Sequence, residues 1–277
     1  MKIIGAITTL LAGALLIYAT VDFPPWADPA SPASIHPVSI RYIEKSVEET
    51  AVPNVVTSVL ADYRGYDTMF ETSVIFAAGL ACFLLLRVFT REGPGERLYR
   101  HTLTGITLRM KDDGKIPADL DEFERIDTTW TPHDLIIKTV CRVLVPFMQL
   151  FALYVIAHGH HSPGGGFQGG VILGASIILL AISLDLRTAT TRFSEKVDGL
   201  LSSAGVLIYA GTGAICVLLG LNFLNYGALA SILFVDPVMA RSHGIFIVEV
   251  GVGITVMATM VWIYSNLASA GKYDEGL

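Results

Sequence analysis

The chain has 277 residues, of which 52% are hydrophobic and only 16% charged, with a mean hydropathy of +0.58. A net charge of -6 argues against nucleic acid as a partner, because phosphates call for a basic surface. The composition points away from an ordinary water-soluble domain and toward a lipid bilayer.

In chain order, the apolar runs predict six spans: Ile3–Val21, Met69–Phe89, Ile136–Ala157, Gly169–Leu186, Leu200–Leu221 and Gly244–Tyr264. Each has about the length needed to cross a hydrocarbon core of roughly 30 Å. The expected fold class is an all-α polytopic membrane protein. The first run follows Lys2 and resembles a signal peptide, but its Asp22-Phe-Pro-Pro-Trp26 exit is a poor cleavage site, so it is read as a retained helix.

Residues 1–90 are expected to form a two-helix module around a long outer segment. Pro24, Pro25, Pro29, Pro32 and Pro37 make the first part of that segment irregular. Pro53 to Phe70 mixes valines with acids and admits two readings: a short helix on the membrane surface or a plain polar loop.

Residues 91–130 read as a charged cytoplasmic linker. Thr131-Pro132-His133-Asp134 then supplies a helix start, with a hydroxyl cap, a proline whose missing N–H costs nothing and an acid near the positive end. Residues 131–277 form a four-helix module. Fifteen of the 19 lysines and arginines fall on the side that holds both termini, and only Arg41, Lys45, Arg64 and Arg241 fall on the other. This asymmetry predicts cytoplasmic termini in a cell inner (plasma) membrane.

The densest local signal is His158-Gly-His-His-Ser-Pro-Gly-Gly-Gly-Phe-Gln-Gly-Gly170, between the third and fourth spans. Gly164, Gly166 and Gly169 spell a dinucleotide-type pattern, but no strand precedes it and no βαβ unit surrounds it. His158, His160 and His161 lack an obvious fourth ligand, so no metal and no cofactor are expected. Pro163, Gly164, Gly165, Gly166, Gly169 and Gly170 read as a tight turn allowing close helix contact. The sharper reading adds proton relay through the histidines.

Charges within the spans are functional candidates by default. Glu249 lies about five residues, roughly 8 Å, below the outer edge of the sixth span, where a carboxyl can carry a proton or an ion; the alternative is a carboxylate hydrogen-bonded at a subunit contact. Glu71 opens the second span and is the next candidate. Arg142 and Asp185 are expected to pair as structural glue near the inner face, and Pro146 stands one turn beyond Arg142. Arg241 and His243 flank the sixth span, where they either meet Glu249 or face solvent. The three cysteines fall inside spans, without metal-ligand spacing. With few and peripheral acids and no catalytic domain, a component of a larger ion-moving assembly fits better than a solitary pump or an enzyme.

Arg142-Val-Leu-Val-Pro146, continuing through Phe147 to Val155 into the histidine–glycine signature, resembles the MrpB/MnhB subunits of the multisubunit Na⁺/H⁺ antiporters known as Mrp or Mnh, over about residues 131–265. The related subunit of energy-converting membrane-bound hydrogenases has the same character. Pro53 to Glu71 resembles the carboxyl-terminal region of the large MrpA-type antiporter subunit, with Asn54, Asp62, Arg64, Gly65 and Asp67 on that motif; the same region is a separate small subunit in the hydrogenases. The resemblance implies a fused chain in a complex that exchanges cytoplasmic Na⁺ for outside H⁺, with large antiporter subunits as partners and carriers of the main ion pathways. The alternative is a membrane-arm subunit of a hydrogenase or another redox-driven pump.

Overall fold

The computed structural model describes residues 2–88, 97–111, 116, 120, 122–125, 135–184, 186 and 194–269. Among these, six helices are long and apolar enough to cross a membrane, and the chain is a predominantly helical, multi-pass membrane protein. By contact it divides into two units, Met1–Ser46 and Val47–Leu277.

The first unit holds α1, Lys2–Ala19, a single turn at Pro32–Ile35, and most of α2, Pro37–Thr50. From Ile3 to Ala19 the side chains of α1 are exposed. Helix α2 lies in the segment read as irregular. Pro37 at its start contributes a fixed φ and lacks only an N–H that a first turn leaves unpaired anyway, and Ile40, Ile43 and Val47 recur at helical spacing.

In the second unit, a turn of helix at Val55–Ser58 runs into a π-helix at Val59–Tyr63 and then into α3, Gly65–Phe83. The segment Pro53 to Phe70 is therefore helical for most of its length. The membrane helices continue with α4, Leu135–His158, α5, Gly166–Ser183, α6, Glu195–Leu218, and α7, Pro237–Ala268. Residues 131–134, read as the cap of α4, lie outside the described residues.

Helix α7 is the axis of this unit. It packs against α6, α5 and α3, whereas α4 packs mainly on α5. Its 32 residues exceed the expected span because Asp236 caps it, accepting from the backbone N–H groups of Val238 and Met239, both at 3.1 Å, with Pro237 in the first turn. Ile245, Val248, Val252 and Val256 of α7 join Tyr209, Cys216 and Tyr226 in the core.

The segment read as a charged linker also carries a small antiparallel sheet beside the predominantly helical fold. Strand β1, Arg97–His101, lies between β2, Thr107–Met110, and β3, Phe123–Arg125. Leu98 stands opposite Arg109 and Tyr99 opposite Leu108. Tyr99 is buried, and the His101 ring meets the edge of Phe123 at 4.9 Å. Strands of three to five residues among many charges give too little alternation to stand out in the sequence.

Helices α4, α5, α6 and α7 alternate in direction, which gives the bundle two ends. The turn end holds the His158–Gly170 signature and the π-helix. The linker end holds the starts of α4 and α6 and the finish of α7.

Candidate functional site

The glycine turn is built by backbone hydrogen bonds. Gly165 N–H donates to Val155 O at 3.1 Å, folding the start of α5 against the end of α4. Gly165 has φ of +123°, a conformation open to glycine and strained for other residues. At Gly166 a Cβ would overlap the backbone carbonyl of Glu249. The missing side chain thus lets α5 meet α7 backbone to backbone and sets Glu249 beside the turn.

Asn54 holds the other side. Its amide nitrogen donates to Gly159 O and Ser162 O, both at 2.8 Å, and its backbone N–H donates to His160 O at 2.9 Å. Its side-chain oxygen caps the next turn through Val56 N–H at 3.1 Å. Thr57 adds a hydroxyl donor to Gly159 O at 2.8 Å. These bonds satisfy carbonyls that the glycine turn would otherwise leave open.

Between these elements lies a cavity of about 270 Å³, bordered by Thr57, Thr68, Glu71, Thr72, Tyr209 and Glu249, among others. Glu249 and Glu71, far apart in sequence, line the same space. Glu249 is only 9% exposed. One side of its carboxylate rests on Gly165 and Gly166, where the Gly166 N–H is a donor. Its Oε2 lies 3.6 Å from His160 Nδ1, and both atoms are buried without a hydrogen-bond partner. His160 Nε2 is 3.0 Å from Ser242 O. A carbonyl only accepts, so the proton is assigned to Nε2, and Nδ1 turns a lone pair toward Glu249. Burial holds the His160 ring below the usual histidine range, favouring this neutral form. Two acceptors thus face each other at 3.6 Å with no hydrogen bond between them.

The three histidines part company. His160 enters the site, while His158 stacks on Tyr154 at 4.8 Å and on His161 at 5.6 Å, with His161 exposed. Pro163 is exposed on the turn. Gly164 backs onto Val155 O, Gly169 onto Ile156 and Gly170 onto Gly253, so each admits a close helix approach. Among the described residues no three His, Cys, Asp or Glu side chains gather to hold a metal.

Arg241 does not turn to Glu249. It lies 3.5 Å from Asp62 Oδ2, and His243 is exposed. Asp62 sits in the π-helix, where burial pushes its carboxyl up to about 6 against the pull of Arg241. Arg64 and Asp67 pair at the surface, one turn apart. Gly65 O accepts from the Tyr209 hydroxyl at 2.9 Å, and Ala61 O accepts from the Tyr226 hydroxyl at 2.9 Å. Arg142 is exposed on α4, and its expected partner Asp185 lies outside the described residues.

Three contributors escaped the sequence reading. Tyr209 and Tyr226 looked like ordinary aromatic residues, although both hydroxyls reach backbone carbonyls around the π-helix. Asp198 precedes the run that begins at Leu200 and drew no reading, yet it is 0% exposed.

The chain's likenesses fall on both of its parts. Residues 136–262 match the domain related to the MnhB subunit of Na⁺/H⁺ antiporters, and residues 6–96 match MbhE, a subunit of MBH. The mnhB2 protein of Staphylococcus haemolyticus is 32% identical over 142 residues, which is 50% of this chain and 97% of that protein. The probable K⁺/H⁺ antiporter A/B subunit of Rhizobium meliloti is 27% identical over 83% of this chain and 22% of its own length. In fold, a chain of the archaeal membrane-bound sulfane sulfur reductase, a respiratory membrane complex, matches with a TM-score of 0.65 and 23% identity, covering 96% of this chain and 97% of the other. With residues 136–262 matching that domain and a relative 32% identical matched over 97% of its own length, the chain belongs to the MnhB family of membrane subunits.

Proposed function

We propose that this chain is one component of a multisubunit Na⁺/H⁺ antiporter complex and that the cavity at its turn end is one station for the exchanged ions. The observation that carries the reading is Glu249: a carboxylate held in a membrane helix, lining a cavity it shares with Glu71 and facing the unpartnered Nδ1 of His160. An acid buried at membrane depth is costly, and such groups mark ion and proton routes.

The chemistry needs little. A proton arriving through the cavity binds at Glu249 and is bridged to His160 Nδ1, while Ser242 O fixes the ring through Nε2. When the proton leaves, the carboxylate is free to attract a monovalent cation into the cavity, where the Thr68 and Thr72 hydroxyls and Glu71 offer oxygen ligands. Proton and cation would then compete for one carboxylate, which is the elementary requirement of exchange. The large partner subunits supply the remaining pathway. The fused arrangement, with 1–90 as one module and 131–277 as the other, places the Asn54 clasp and the glycine turn on a single chain.

The test is Glu249→Gln in the intact complex, reconstituted in liposomes under an imposed proton gradient. Na⁺-coupled proton movement should slow at least tenfold with all subunits still present. Exchange at the unaltered rate with normal assembly would remove Glu249 from the route.

A second reading is favoured by the match of residues 6–96 to MbhE and by the fold shared with a respiratory complex. In it the chain belongs to the membrane arm of a redox-driven ion pump. Mass spectrometry of the complex purified in mild detergent separates the two: iron–sulfur partners select the pump, antiporter subunits alone select exchange.

A further inference from the structure

A second buried acid lies at the opposite end of the bundle. Asp198, in the first turn of α6, is 0% exposed, and both of its carboxylate oxygens are buried without a hydrogen-bond partner. An acid at a helix start ordinarily turns to the free N–H groups of the first turn or to water. Asp198 does neither. It belongs instead to the stripe Asp198, Ser202, Gly205, Tyr209, Gly213 and Cys216, which α6 buries.

That stripe packs on α7 through hydroxyls. Ser202 Oγ lies 2.5 Å from Thr259 Oγ1, and Thr255 Oγ1 donates to Ser202 O at 3.2 Å or Gly251 O at 3.1 Å. Ser202, Thr255 and Thr259 are all buried. In the Ser202–Thr259 pair only one hydroxyl hydrogen is used between the two oxygens, so the other is available to a further acceptor. Ser202 is one turn from Asp198 on the same face, since residues four apart lie one above the other.

Among the described residues, no side chain donates a hydrogen bond to the Asp198 carboxyl. Glu195, one turn earlier on α6, is itself an acid, and Lys196 is exposed. Tyr264 of α7 and Cys82 of α3 carry no positive charge in any protonation state. A fully enclosed carboxylate with no hydrogen-bond donor among the described residues is held most cheaply as the acid.

We propose that Asp198 is a second protonation site, at the linker end of the bundle, and that rotation of its carboxyl onto the Ser202–Thr259 hydroxyls, one turn away, joins it to a proton channel toward the cavity. Protonation adds H⁺ to the carboxylate. Each hydroxyl accepts a proton on its oxygen and releases its own hydrogen to the next, so no group changes net charge after the transfer. Thr255 stands three residues, about 4.5 Å along the axis, from Val252 at the cavity wall. The idea of a through-route rests on the cavity reading above; the protonated state of Asp198 does not.

The experiment is difference infrared spectroscopy of the purified complex, with exchange measured in parallel. A carboxylic-acid C=O band that shifts in ²H₂O should disappear in Asp198→Asn, and exchange should fall at least tenfold with assembly intact. Asp198→Glu should restore part of it. If Asp198→Asn does not assemble, Thr259→Val keeps the question open to test, since it retains the acid, and should slow isotope exchange of the band several-fold. Absence of any band change in Asp198→Asn, or of any slowing in Thr259→Val, overturns the proposal. Wild-type exchange in Asp198→Asn overturns the through-route. Wild-type exchange in Glu249→Gln with the Asp198 band present would sink the cavity reading and leave the protonated Asp198 standing.

Discussion

Glu249 and Asp198 are both carboxylates buried against the α6–α7 core, yet they sit in opposite surroundings. At the turn end, Glu249 borders a cavity, has a histidine at 3.6 Å and rests on glycine backbone from another helix. At the linker end, Asp198 is enclosed without a hydrogen-bond partner, one turn from the buried Ser202–Thr259 hydroxyl pair. The difference teaches that burial alone does not define a role for an acid. The first borders open space; the second is shut away from it.

The largest expected effect strikes the turn end. Gly166→Leu inserts a side chain where α5 and α7 touch by backbone. It should cost about 3 kcal/mol or more, read as lost complex on a thermal melt in detergent. A wild-type melt would mean that the contact yields and that the turn does not set Glu249's position.

Next comes Asp62, beside the same cavity end. Its folded value of about 6 exceeds the ordinary 3.8. The folded chain therefore holds the extra proton between those values. Its contribution to stability is full below 3.8 and is lost as the pH rises through about 6. Asp62→Asn should remove that slope, a change of up to about 3 kcal/mol, visible as melting temperatures that no longer fall from pH 4 to pH 7. An unaltered slope would assign it to other groups.

The hydroxyl pair should respond least. Thr259→Val deletes one hydroxyl partner at nearly constant volume and should cost about 1 kcal/mol. A loss as large as that for Gly166→Leu would show that the two ends are equally demanding and dissolve the contrast.

Much of the scaffold could be read from apolar runs, because a helix in lipid must be long and apolar irrespective of its neighbours. Where polar contacts define an element, the reading stopped short. Helix α2 hides among prolines and charges, and α7 begins seven residues before Gly244 because Asp236 and Pro237 cap it. Glu249 and Glu71 stood out singly as acids in or beside spans. That they share one cavity depends on contacts such as Asn54 to Gly159, 105 residues apart, which no local pattern contains. Arg241 was ambiguous for the same reason, since its partner Asp62 belongs to a distant segment. Asp198 was passed over because an acid just before an apolar run has a common local explanation, and only its lack of partners in the folded chain contradicts it.

The Asn54 clasp has a consequence for how tightly it must hold. The chain runs unbroken from the clasp through residues 89–134 to the glycine turn, so the two meet as tethered groups at a high effective concentration. Its four hydrogen bonds to the turn are spared the task of recruiting a partner and serve instead to set register, fixing which carbonyl meets which donor each time the bundle closes.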